Sequence, residues 1–140
     1  MSRKRYGRRV QRRPRGMHVG LISSGSSLTL EQRTRLTRAI AQIDFNNPGQ
    51  LTLHLGCGHG ADRVAHQAAS QHGRWRIHGH PATDVTGRPR RLTVGYRIDA
   101  LEAAKTRRQR DLDIVRACDT ILLVVPYVED ASEPASRASG

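Results

Sequence analysis

Three glycines alternate with other residues in Gly56-Cys57-Gly58-His59-Gly60-Ala61-Asp62, where an alternating apolar run gives way to a helical pattern. Glycine lets a backbone approach a ligand closely and adopt positive φ. The unpaired N–H groups of a helix's first turn, with the positive end of its dipole, favour an anion. The chemistry this spacing offers is therefore phosphate binding by backbone groups. The spacing is not Gly-x-Gly-x-x-Gly and the Walker lysine is absent, so neither standard nucleotide fingerprint applies. The residue types leave a second reading open: a tight strand–helix turn with Asp62 as its N-cap.

Other groups could join such a site. Ser23-Ser24-Gly25-Ser26-Ser27 ends a strand, and Ser24, Gly25 and Ser26 could supply a second small polar loop on the same sheet edge. Arg107-Arg108-Gln109-Arg110-Asp111 opens a helix, and Arg108 or Arg110 could grip a ligand phosphate bidentately. The plainer reading of that run is a solvated helix face. Cys57, close to a helix start, could have a lowered pKa, although no partner for nucleophilic catalysis can be argued. Of seven histidines, His54, His59 and His66 gather with Cys57 around the glycine loop. Zinc sites want about four N or S ligands at fixed spacing, and Cys57-x-His59 is not a recognised pair, so no metal site is expected.

The elements that must position these residues alternate. Met17–Ile22 is a short buried strand. Thr29-Leu30-Glu31-Gln32 fits a capping box, followed by Leu36, Ala39, Ile40 and Ile43 at helical spacing and stopped by Asn46-Asn47-Pro48-Gly49. Leu51–Leu55 is a second strand, 62–72 a helix closed by Gly73, and 74–79 a weaker third strand. The stretch 81–100 reads as a long functional loop. A helix over 105–118 leads to Ile121–Val125, whose composition suits a strand buried on both faces. Strands alternating with helices imply an α/β, Rossmann-like three-layer fold, its parallel sheet of about four strands in the order 3-2-1-4. In that order Ile121–Val125 lies at an edge, which implies either self-association as a homo-oligomer or poor stability as a lone monomer, with cover from 81–100 as the alternative.

Charge divides the chain in two. Arg3, Lys4, Arg5, Arg8, Arg9, Arg12, Arg13 and Arg15 fall within residues 1–16, which hold no acidic residue, and the remaining 124 residues carry 16 basic against 12 acidic groups. Residues 1–16 are expected to be a disordered basic arm, and 17–140 the folded domain. The arm could bind nucleic acid without sequence choice and with steep salt dependence. Aromatic residues are too sparse for a dedicated single-strand binder. No apolar run approaches the roughly 18 residues of a membrane span. Two cysteines do not make a disulfide framework, so a cytoplasmic setting is expected.

The loop Gly56–Asp62 continuing to Arg63, Ala65 and His66, then His80-Pro81, then Arg110-Asp111-Leu112-Asp113-Ile114-Val115 to Ala117-Cys118-Asp119 and an apolar strand closing on Pro126, resembles the SLOG superfamily. This Rossmann-like group includes the lonely-guy and lysine-decarboxylase-like phosphoribohydrolases and the DNA-processing protein A family. The likeness is nearest to small bacterial and phage members with a Gly-x-x-x-Gly-Ala-Asp loop and spans roughly residues 17–140. It implies a nucleotide or nucleotide-derivative pocket, with Gly56, Gly58, Gly60, Ala61 and Asp62 in the first ligand loop and Arg108 and Arg110 at the arginine-containing helix start. Relatives carry Arg-Ser-Gly-Thr-Trp, or Pro-Gly-Gly-x-Gly-Thr and a glutamate, after the last strand. Here the chain reads Arg137-Ala138-Ser139-Gly140, so the second phosphate loop is expected to be incomplete and the glutamate has no counterpart. The expectation is a nucleotide-binding sensor or accessory protein with no certain cofactor. The rivals are a nucleoside-monophosphate N-glycosidic hydrolase and a nucleic-acid binder acting through the arm.

Overall fold

The computed structural model describes residues 16–23, 27–88 and 97–125. In chain order the elements are β1 (Met17–Ser23), α1 (Leu30–Asn46), β2 (Leu51–Leu55), α2 (Gly60–His72), β3 (Trp75–Gly79), β4 (Ala100–Leu101), α3 (Arg107–Ala117) and β5 (Thr120–Val124). The strands form one parallel sheet in the order β4-β3-β2-β1-β5. The Rossmann-like order inferred from the sequence is present, with one strand added. That strand, β4, begins at Ala100, the last residue of the stretch expected to be loop. It pairs His78 with Ala100 and Gly79 with Leu101, and two residues are too few to leave a periodic signal.

The two faces of the sheet differ in chemistry. Register and the two-residue side-chain period place Val19, Leu21, Leu51, Leu53, Leu55, Trp75 and Ile77 on one face. All seven are buried, and α1 and α2 cover them with Leu36, Ile40, Ala61, Val64, Ala65, Ala68 and Ala69. The opposite face presents His18, Gly20, Thr52, His54, Arg76 and His78. Here α3 docks on β1 through the gap that Gly20 leaves. A Cβ there would meet Ile114 Cγ2 at 2.7 Å, Cys118 Sγ at 2.8 Å and Ile121 Cδ1 at 2.8 Å.

Local chemistry fixes the ends. Thr29 and Gln32 form the capping box reciprocally: Thr29 Oγ1 accepts from Gln32 N–H at 3.1 Å, and Gln32 Oε1 accepts from Thr29 N–H at 2.9 Å. Gly73 ends α2 in the left-handed conformation, φ 71°. Both edge strands are entered through an aspartate that clamps its neighbour's backbone in both directions. Asp119 N–H donates to His18 O at 2.8 Å, and Asp119 Oδ2 accepts from His18 N–H at 2.9 Å. Asp99 does the same to Ile77, both bonds at 2.8 Å. Among the described residues no helix is long and apolar enough to cross a membrane.

Candidate functional site

In a parallel sheet every strand delivers its chain to the same edge, so the loops after β1, β2 and β3 gather at the carboxyl ends. The order reverses between β1 and β5, which places the topological switch point beside β1 and one strand from the glycine loop after β2.

Within that loop the backbone turns sharply, with Cys57 at φ 63° and Gly60 at φ 55°. The helix begins at Gly60, two residues earlier than the sequence pattern suggests, and His59 occupies the N-cap without a side-chain cap bond. Asp62 is thus a first-turn residue rather than the cap. Its carboxylate reaches back, Oδ2 accepting from Gly58 N–H at 2.9 Å and Oδ1 from Gly56 N–H at 3.3 Å. Two of the N–H groups that sequence reasoning assigns to a phosphate therefore already hold a carboxylate. Enclosure pushes the Asp62 carboxyl above its ordinary range, against the pull of Gly58 and Gly56 N–H and the Arg110 charge. Cys57 is buried, and burial together with the neighbouring Asp62 charge pushes its thiol up to about 12. The lowering that a place near a helix start implies does not occur, because burial and Asp62 outweigh the hydrogen bond with the His80 backbone and the Arg110 charge.

From α3, Arg110 returns to this loop. Its Nη1 donates to Gly56 O at 3.4 Å and His80 O at 3.3 Å, while Nε donates to Asp111 Oδ1 at 2.7 Å. The side chain is only 11% exposed. A Cβ at Gly56 would collide with Arg110 Nη1 and stand 2.9 Å from Cζ, so glycine is required for this close approach. Arg108 goes elsewhere: it is exposed and, with Ile22, Arg107, Asp111, Leu112 and Val115, lines a groove of about 550 Å³ beside the end of β1. Ser24, Gly25 and Ser26 lie outside the described residues, as do the arm residues Arg3 to Arg15.

On the α3 face a feature appears that sequence proximity did not reveal. His54 Nε2 faces His18 Nδ1 at 2.8 Å, and His54 Nδ1 faces His80 Nε2 at 2.9 Å. His78 stacks on both His54 and His80 with ring centroids 4.7 Å apart, and its Nε2 meets Glu102 Oε2 at 2.7 Å. Burial, with His78 beside it, pushes His80 down to about 4, so its ring is neutral near neutral pH. His59 is exposed and His66 bonds the backbone of Arg97, so neither joins this group. The four members come from three strands and the residue after β3. Their signal in the sequence is shared strand parity rather than spacing.

No protein-family model matches the chain, and no curated protein matches it. Among solved structures it is similar to the Moco carrier protein from Chlamydomonas reinhardtii, with a TM-score of 0.55 at 18% identity, over 89% of this chain and 72% of that one. It is also similar to the structural-genomics target TM1055, with a TM-score of 0.50 at 13% identity, over 77% of this chain and 60% of that one. What the chain has in common with both is the Rossmann-like fold.

Proposed function

We propose that this chain is a SLOG-type protein that binds a phosphate-bearing nucleotide or nucleotide derivative at the carboxyl edge of its sheet, as a sensor or accessory protein. One observation carries the reading. The glycine loop, one strand from the topological switch point, runs into a helix start with no side-chain cap, and Arg110 is packed against that loop's own backbone. Such a place combines backbone donors, a helix dipole and a fixed guanidinium, the three groups that hold phosphate in water. Asp62 already occupies Gly56 and Gly58 N–H, so the phosphate would be received further along the turn, at the first residues of α2. The Moco carrier protein, by its name, carries its ligand, and carriage without turnover is the mode proposed here.

Calorimetry of the full chain against nucleoside monophosphates and ADP-ribose tests this. Gly56→Ala displaces Arg110 from the loop without touching the apolar core, and should weaken binding about tenfold or more while the protein stays folded. Absence of binding by the wild type, or equal binding by Gly56→Ala, would refute the site. Release of free base from a bound monophosphate would replace the sensor reading with the hydrolase.

A further inference from the structure

We propose that His54, His78 and His80 form a binding site for a divalent transition-metal ion of the zinc class, with His18 and Glu102 orienting two of the three rings. The site is independent of the nucleotide reading. One candidate ligand atom from each of the three residues lies within 4.8 Å of the others. Three imidazoles are a donor set suited to Zn²⁺ and its first-row neighbours, and poorly suited to Mg²⁺ or Ca²⁺, which take oxygen.

The arrangement goes beyond proximity. Ligands about 2.0–2.1 Å from a tetrahedral zinc stand roughly 3.3 Å apart. His54 Nδ1 and His80 Nε2, at 2.9 Å, need to separate by only a few tenths of an ångström to admit the ion between them. His78 is the member that must rotate, since it stacks on the other two, at 24° to His54 and 15° to His80. It is also the one with freedom to do so, its side chain being 20% exposed against 2% for His54 and 5% for His80. Ligating histidines characteristically place their second ring nitrogen against an acceptor that fixes the ring. His54 Nε2 faces His18 Nδ1, and His78 Nε2 faces the Glu102 carboxylate. Both partners are in place without the ion.

The packing also asks for an explanation. At matching positions on the other face of the same strands the chain uses Leu53, Leu55 and Ile77, all fully buried. A buried imidazole costs more to desolvate than an aliphatic side chain, and hydrogen bonds between neutral rings return only about 0.5–1.5 kcal/mol each. Thr52 Oγ1, buried on the same face, has no hydrogen-bond partner among the described residues, so this layer is not a fully satisfied polar network.

The test is a Co²⁺ titration of the full chain after chelator treatment, followed by displacement with Zn²⁺. One Co²⁺ per chain is expected, with the visible absorption of a tetrahedral nitrogen-rich site, and Zn²⁺ should abolish it. His78→Ala and His80→Ala should each weaken Zn²⁺ binding at least tenfold, and Glu102→Gln by roughly 10–100-fold. His72→Ala, on the far end of α2, should leave binding unchanged. If His80→Ala does not fold by circular dichroism, His78→Ala on the partly exposed ring decides the matter. No saturable uptake by folded wild type, or full stoichiometry and an unchanged spectrum in His78→Ala, would overturn the site and leave a metal-free histidine stack.

Discussion

Asp62 places its own carboxylate where an incoming anion would meet the N–H groups of Gly56 and Gly58. Its enclosure raises the carboxyl pKa in the folded protein, so the native state holds that proton more readily than the unfolded chain does. By linkage, the group's contribution to stability is greatest in acid, below the unfolded pKa, and declines as pH rises through the folded value. Asp62→Asn keeps the shape and removes the titration. The stability of wild type minus that of Asp62→Asn should therefore shrink from acid toward neutral pH, measured by urea unfolding at a series of pH values. A difference that grows with pH would mean that Arg110 and the two N–H groups outweigh burial. Residue types and spacing made the glycine loop legible as a tight, close-approach turn. They could not show which anion fills it, because that depends on Asp62 reaching four and six residues back. The histidine group was hidden for a related reason. His18, His54 and His78 meet only through parallel register, whereas nearness in the chain groups His54 with His59 and His66.

At the scale of elements, α3 reaches the sheet through one missing side chain. Gly20→Val would force Ile114, Cys118 and Ile121 aside and should destabilise the fold by about 1–3 kcal/mol. Ile114→Ala alone should cost about 2–5 kcal/mol, because Ile114 is fully buried. The two changes occupy the same space, so the double variant should be less destabilised than the sum, as denaturant unfolding of the four proteins would reveal. Strict additivity would mean that α3 is not held at this point. Four strands, three helices and the sheet order were legible because β1 and β5 carry apolar runs, β2 and β3 alternate, and the helices carry stops or caps, Thr29 with Gln32 and Gly73 among them. The start of α2 was misplaced because His59 gives no capping signal. The short β4 was invisible because Asp99 and backbone bonds to Ile77 and Gly79, rather than any pattern, hold it.

For the molecule as a whole, β5 has one strand neighbour, β1, among the described residues, and Leu123 is 67% and Val125 58% exposed. An apolar edge of this kind pairs or is covered. We propose that it pairs with a second copy. Sedimentation over a concentration series should show wild type associating and Leu123→Lys remaining monomeric, whereas a wild type that stays monomeric throughout would point to cover from within the chain. The same strand fixes when the fold can be completed. β1 lies inside the sheet, yet the clamp on its His18 comes from Asp119, 101 residues later. As the chain leaves the ribosome, β1 can acquire β2 early, but its other flank waits until β5 has been synthesised. Through most of the synthesis of residues 17–124 that flank stays open to any passing strand, so the nascent protein is most vulnerable to mispairing just before β5 emerges.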